Sequence, residues 1–259
     1  MAAKIIYVGA QKGGIGKTAT IYNLSGALAQ LGYKVLCIDL DGSCNLSTTL
    51  GYVQNNNDDT ICDALSRVCS GRPYDPHNLV HSSDVGIDYV PSSGLLSTYV
   101  AQIEASPDKY NTLGKLFEPL REDYDYIFLD NSAPNDTIKR NILCMSEYAV
   151  VIVESGAYSL DGMVDTAERI EAIRKDAGRI KTLGILHNKA TNTKISKQVT
   201  EAVADMYGDL IFNTIIPYRS AMIEQSITEQ KPCVSIKGNT LAPFYTALAQ
   251  EVINRIKGE

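Results

Sequence analysis

Short apolar runs alternate with longer amphipathic stretches along most of this chain. Lys4-Ile-Ile-Tyr-Val8 reads as a buried strand. Thr18 to Leu31 reads as a helix, with Ile21, Leu24, Leu28 and Leu31 at helical spacing and Gly32 to end it. Lys34-Val-Leu-Cys-Ile-Asp39 predicts the second strand, and a strand–helix–strand order of this length implies a right-handed parallel crossover. Further strands are expected at 86–91, 124–130, 148–154, 182–186 and 211–216. Helices are expected over 95–122 with a break near Ser106-Pro107, and over 137–145, 159–175, 193–207, 221–228 and 241–256. In the stretch 159–175, Leu160, Met163, Ala167, Ile170 and Ile173 share one face. Thr60, with Asp63 three residues on, reads as the capped start of a short helix. Strands alternate with helices throughout, and no repeat or low-complexity linker interrupts them. The pattern predicts one α/β domain over residues 1–259, doubly wound, with a mostly parallel sheet and helices on both faces.

Composition narrows this picture little. A chain of 259 residues with 44% hydrophobic and 21% charged residues is ordinary for a globular protein. The net charge of −6 excludes a uniformly basic nucleic-acid binder but leaves room for a local basic patch. No apolar run is long enough to span a bilayer, and the Met1–Lys4 start runs straight into a strand with no signal peptide. The cysteines Cys37, Cys44, Cys62, Cys69, Cys144 and Cys233 form no C-x-x-C pair and read as free thiols. His77 and His81 stand four apart, but Pro76 and Ser82-Ser83 place them in a loop, where they read as solvated side chains rather than metal ligands.

The chemistry is concentrated between the first strand and the first helix. Gly9-Ala-Gln-Lys-Gly-Gly-Ile-Gly-Lys-Thr-Ala-Thr20 is a glycine-rich turn opening a helix, the geometry that binds phosphate. Gly13, Gly14, Ile15 and Gly16 can turn backbone N–H groups toward an anion, with Ala19 in the first helical turn. Lys17 can reach the outer phosphates, and the Thr18 hydroxyl can ligate Mg²⁺. The literal pattern G-x-x-x-x-G-K-[ST] is not met, since Gly9 lies seven residues before Gly16. What stands instead is Lys12-Gly-Gly-Ile-Gly-Lys-Thr18, with a second lysine opening the loop. The second strand ends in Asp39-Leu-Asp41, two carboxylates directed toward the sheet edge where ligands of open parallel sheets bind.

This loop resembles the deviant Walker A motif of the ParA/MinD family of P-loop ATPases, closest to its ParA-type partition proteins. The resemblance extends to Asp39-Leu-Asp-Gly-Ser-Cys-Asn45, where the family usually has Pro-Gln in place of Gly42-Ser43. It extends also to the strand Tyr124–Asp130, similar to Walker B, and to the segment from Ile216 through Lys231-Pro232. It implies Lys12 as a lysine that crosses a dimer interface, and Asp41 as the residue that positions the attacking water. Thr18, Asp39 and Asp130 are implied as the Mg²⁺ set, and Asn131-Ser-Ala-Pro134 as a γ-phosphate sensor. Asn188 and Pro217 would meet adenine, and Glu224 stands near a family glutamate.

By the same resemblance the cofactors are ATP and Mg²⁺, and the activity is ATP hydrolysis, weak until a ParB-like adaptor stimulates it. A homodimer with ATP would bind DNA non-specifically and partition plasmid or chromosomal DNA, or position cargo on the nucleoid, in the cytoplasm. Phosphate contacts need clustered cations, and Lys189, Lys194, Lys197 and Arg219 are the candidates, with Lys231 and Lys237 adding to the surface. A MinD-like membrane ATPase would carry a basic amphipathic end, whereas Glu251–Glu259 has acids at both ends and no lysine run, so no integral membrane contact is expected. A small-molecule ATP-dependent ligase of similar fold would not need Lys12. An iron–sulfur carrier would need paired cysteines, and a tyrosine kinase of this superfamily a terminal tyrosine cluster, where only Tyr245 stands. With no long N-terminal extension, no helix-turn-helix operator-binding domain is expected.

Overall fold

Alternation of side chains along each strand sends neighbouring residues to opposite faces, and that rule divides the core of this protein in two. A computed structural model describes residues 2–9, 14–54, 59–131, 136–154, 175 and 180–258. Strand β1 (Lys4–Gly9) buries Ile6 and Val8 on one side and Ile5 and Tyr7 on the other. Strands β2 (Val35–Asp39) and β5 (Tyr126–Asp130) divide in the same way, with Cys37 and Phe128 on the first face and Leu36, Ile38, Ile127 and Leu129 on the second.

Among the described residues seven strands form one sheet in the order β3-β4-β2-β5-β1-β6-β7. The remaining strands are β3 (His81–Ser82), β4 (Asp88–Val90), β6 (Tyr148–Glu154) and β7 (Lys181–Asn188). All pairings are parallel except the short β3–β4 edge. Helix α1 (Lys17–Gln30) and the C-terminal helix α9 (Ala242–Lys257) cover the first face. Helices α3 (Ile61–Cys69), α4 (Leu96–Ala105), α5 (Thr112–Phe117) and α6 (Asp136–Met145) cover the second. Short α2 (Asn45–Thr49), α7 (Lys194–Tyr207) and α8 (Ser220–Thr228) complete the set. This is the doubly wound arrangement that the alternating pattern predicts.

Local expectations were met where local chemistry decides. Thr60 and Asp63 form a reciprocal capping box on α3. Gly32 leaves α1 in the left-handed region, with φ of 88°. All six cysteines are free thiols. Two expectations need correction. Residues 211–216 do not form a strand: isolated bridges, Ile185 to Ile211 and Ala190 to Pro217, and the Ile216 N–H bond to His187 O at 3.0 Å join this segment to β7 and the loop after it. The N–H groups of Asn213 and Thr214 donate instead to the Glu251 carboxylate, at 2.7 and 3.0 Å. The two histidines also have partners: His77 bonds Asp75 and Asp123, and His81, in β3, stacks on Tyr89. The helix expected over 159–175 lies outside the described residues apart from Lys175. No helix among the described residues is long and apolar enough to cross a membrane.

Candidate functional site

The C-terminal ends of β1, β2 and β5 meet at one edge of the sheet, and the glycine loop opens there. Lys12 and Gly13 lie outside the described residues, as does 132–135. Gly14 and Gly16 take φ of 77° and 91°, a region costly for residues with a Cβ. At Gly16 space makes the same demand, because a Cβ would lie 2.7 Å from Asn188 Nδ2. Gly16 is the N-cap residue of α1, with no side-chain cap and no acid in the first turn. No acid of the helix's own first turn competes for its N-terminal N–H groups, a setting that suits an anion. Lys17 is buried at the first helical position, with Thr18 and Ala19 beside it.

The register of β2 against β5 sets Asp39 opposite Asp130, both buried. The Thr18 hydroxyl donates to Asp130 Oδ2 at 2.7 Å. Asp130 Oδ1 is buried and has no hydrogen-bond partner among the described residues. Burial above all, then the neighbouring Asp39 charge, pushes the Asp130 carboxyl up to about 7 against the opposing pull of Thr18 and Lys17. Two adjacent buried carboxylates with one orphaned oxygen and a hydroxyl beside them fit a divalent cation. Among the described residues no group of three or more His, Cys, Asp or Glu could enclose a metal. Mg²⁺ asks for no more than one or two protein ligands, completing its shell with water and phosphate oxygens.

Asp39 is held differently. Its carboxylate accepts Ser47 N–H at 2.9 Å, the Ser47 hydroxyl at 2.6 Å and Asp41 N–H at 3.0 Å. Burial still raises its pKa despite these three donors. The Ser47 oxygen also accepts the Ser92 N–H at 2.9 Å, which ties the end of β2 to the loop after β4. Sequence reasoning missed Ser47 and Ser92, because the link joins residues 45 apart. Asp41, also buried, accepts the Ser43 N–H at 2.9 Å through Oδ1, so Gly42-Ser43 form a tight turn behind its carboxylate.

On the other side of the glycine loop lies a pocket of about 280 Å³. Asn188, Ile216, Pro217, Ile223, Leu241 and Tyr245 line it together with Gly14, Gly16 and Ala19. Asn188 is buried at the end of β7 and donates through Nδ2 to the Ile15 carbonyl at 2.8 Å. Ala190 N–H donates to Ile216 O at 2.9 Å and Tyr218 N–H to Ala190 O at 2.8 Å, so the segment carrying Pro217 is stitched beside Asn188. The structure thus brings Asn188 and Pro217 together on the wall of one apolar slot next to the phosphate loop. Glu224 also lines this pocket.

The expected basic residues separate into two groups. Arg219 is exposed at the pocket rim, and Lys194 and Lys197 are exposed at the start of α7. Lys189 instead turns inward, and its ammonium donates to the Gly14 carbonyl. Lys231 and Lys237 are exposed elsewhere on the surface.

Over residues 3–185 the chain matches a family model described as an AAA domain. The chromosome-partitioning ATPase Soj of Thermus thermophilus is 29% identical over 250 residues, covering 95% of this chain and 94% of that protein. The sporulation initiation inhibitor protein Soj of Bacillus subtilis is 26% identical over 253 residues, covering 96% and 98%. Cobyrinic acid a,c-diamide synthase from Mycobacterium smegmatis, solved with an ATP analogue and magnesium, matches with a TM-score of 0.80 at 22% identity over 99% of this chain and 97% of that one. The septum site-determining protein MinD from Pyrococcus horikoshii, solved with Mg-ADP, gives a TM-score of 0.80 at 24% identity over 99% and 98%. At such identities the two structural likenesses are of fold.

Proposed function

The chain belongs to the ParA/MinD family of P-loop ATPases, and on that premise we propose that it is an ATP-driven switch that dimerises on ATP, binds duplex DNA non-specifically and partitions DNA or other cargo. One observation carries the nucleotide part: the Thr18–Asp130 pair, with a buried carboxylate oxygen left open beside the phosphate loop. ATP would lie with its base in the slot between Asn188 and Pro217 and its phosphates over Gly13–Thr18. Thr18, with Asp130 and Asp39 behind it, would hold Mg²⁺, which supplies charge neutralisation at the β- and γ-phosphates. Lys17 adds a fixed cation at the outer phosphates. Asp41, braced by the Ser43 N–H, accepts a hydrogen bond from the attacking water and orients it. Lys12 would enter the partner's site and exclude solvent there, so hydrolysis would depend on the dimer and act as its timer.

The DNA part rests on placement. Arg219 stands at the rim of the base pocket, and Lys194 and Lys197 lie at the start of α7, all exposed. A nucleotide-dependent change at this edge would reach Arg219 directly. A lipid-binding C-terminal helix is less well supported, because Arg255 near its end is turned inward on the carbonyls of Leu183 and Ile211.

Co-sedimentation with non-specific duplex DNA tests the reading, with ATP, with ADP and without nucleotide over a salt series. Binding is expected only with ATP, falling steeply with salt, and reduced by Arg219→Glu and by Lys194→Glu with Lys197→Glu. Absence of DNA binding in every nucleotide state, in protein that still dimerises on ATP, would overturn it.

A further inference from the structure

Lys189 is the one residue of the expected DNA set that is half-buried rather than exposed, with its side chain 29% exposed. It stands directly after Asn188 at the end of β7, and its backbone takes φ of 53°, a left-handed conformation that lysine rarely adopts. That turn swings its side chain back over the phosphate loop. Its ammonium donates to the Gly14 carbonyl and lies 4.0 Å from the Glu154 carboxylate. Its stem follows the same path, since a Cβ at Gly16 would lie 3.8 Å from Lys189 Cε. Asn188 makes the companion contact, donating to the next carbonyl along the loop, that of Ile15. Consecutive residues at the end of β7 therefore clamp consecutive carbonyls of the glycine loop, across 175 and 173 residues of chain.

We propose that Lys189 is a positioning residue for the nucleotide, holding the phosphate loop against the base pocket, and not a contact to DNA phosphates. The physical reason lies in which way carbonyls face. A loop that binds phosphate must turn its N–H groups inward, and each carbonyl turned outward then needs a donor. A cation satisfies the Gly14 carbonyl with a charge-assisted bond, stronger than a neutral donor would give. The same cation adds positive potential at the phosphate end of the slot. Because Lys189 and Asn188 are adjacent, the base wall and the phosphate loop are fixed to one another, so that base and phosphates are met at a set separation. The left-handed backbone at position 189 is the local strain that this placement requires.

This inference rests on the nucleotide reading above, and the experiment separates the two. ATP affinity is measured by titration of a fluorescent ATP analogue, alongside steady-state hydrolysis and DNA co-sedimentation at saturating ATP. Lys189→Met keeps the stem and removes the charge, while Lys189→Arg keeps the charge. Lys189→Met is expected to weaken the analogue roughly tenfold, the scale of one lost charge-assisted hydrogen bond. The loss should fall on KM more than on kcat, and Lys189→Arg should recover part of it. DNA binding at saturating ATP should keep its salt slope. Unchanged nucleotide affinity in Lys189→Met together with a shallower DNA salt slope would overturn the inference and return Lys189 to the DNA surface. If the unmodified protein fails to bind the analogue at all, it is the nucleotide reading that falls.

Discussion

Asp130 illustrates how a residue unfavourable for the fold is kept where the chemistry proposed for the site would use it. Its carboxyl is buried beside Asp39, and its ionised form is opposed by that environment. Asp130→Asn keeps the shape and removes the charge. The nucleotide-free variant is expected to melt no lower than the parent in a thermal scan, while Mg²⁺-dependent ATP hydrolysis falls by about two orders of magnitude, as for loss of a group serving a phosphoryl-transfer centre. A fall in melting temperature with hydrolysis preserved would contradict this role. Gly16→Ala makes the opposite kind of test. Its φ of 91° and the 2.7 Å approach of Asn188 leave no place for a methyl group. ATP binding measured by calorimetry should weaken at least tenfold, since the loop must shift to relieve the contact (about 1–3 kcal/mol). Residues of this kind were readable in the sequence because their signal is local: glycines before a Lys-Thr pair, an acid at a strand end. Ser47 and the inward turn of Lys189 were not, because their partners are distant in the chain and exposure cannot be deduced from residue type.

Elements were legible where periodicity is strong and long, and misread where a long-range side chain intervenes. Ile211-Phe-Asn-Thr-Ile-Ile216 has the composition of a strand. Glu251 takes the N–H groups of Asn213 and Thr214, and Arg255 takes the carbonyls of Leu210 and Ile211, so two residues of α9 interrupt the ladder, leaving Phe212 and Ile216 bonded to β7. The same guanidinium bonds Leu183 O at 2.9 Å and lies over the Phe212 ring. Arg255→Ala should therefore destabilise the protein by about 2–3 kcal/mol in urea unfolding, because it orphans buried carbonyls and leaves Glu251 without its cation. It should also weaken ATP, since the segment it holds leads into Pro217. The opposite edge of the sheet carries a pH-dependent tie. His77 bonds Asp75 and Asp123, and these bonds raise the imidazole pKa above its ordinary value. Its stabilisation is complete below the unfolded value of about 6.5 and is lost as pH climbs through the raised folded value. His77→Gln should lower the melting temperature at about pH 6 and leave it unchanged at about pH 9; an equal loss at both would show that the charge plays no part. The stretch 52–123 was hardest to read because its short elements, such as the two-residue β3, carry too few positions for a period to emerge.

At the scale of the whole molecule, exposed Arg219 lines the same pocket as Gly14 and Gly16 of the glycine loop, and exposed Lys194 and Lys197 begin the helix that follows β7. Such a layout suits a protein whose surface is switched by its nucleotide. The doubly wound plan was clear from alternation alone, since strand and helix periods recur along the whole chain. The second lysine of the loop, Lys12, is the residue from which the family resemblance implies dimerisation, since the role proposed for it needs a second copy. Closure of two copies over their nucleotides is therefore what the proposed switch depends on, and sedimentation velocity measures it with ADP, with a non-hydrolysable ATP analogue and without nucleotide. A monomer is expected without nucleotide and with ADP, and a dimer with the analogue that is weakened by Lys12→Ala. A single sedimenting species of unchanged mass in all three conditions, with the analogue shown to be bound, would contradict it.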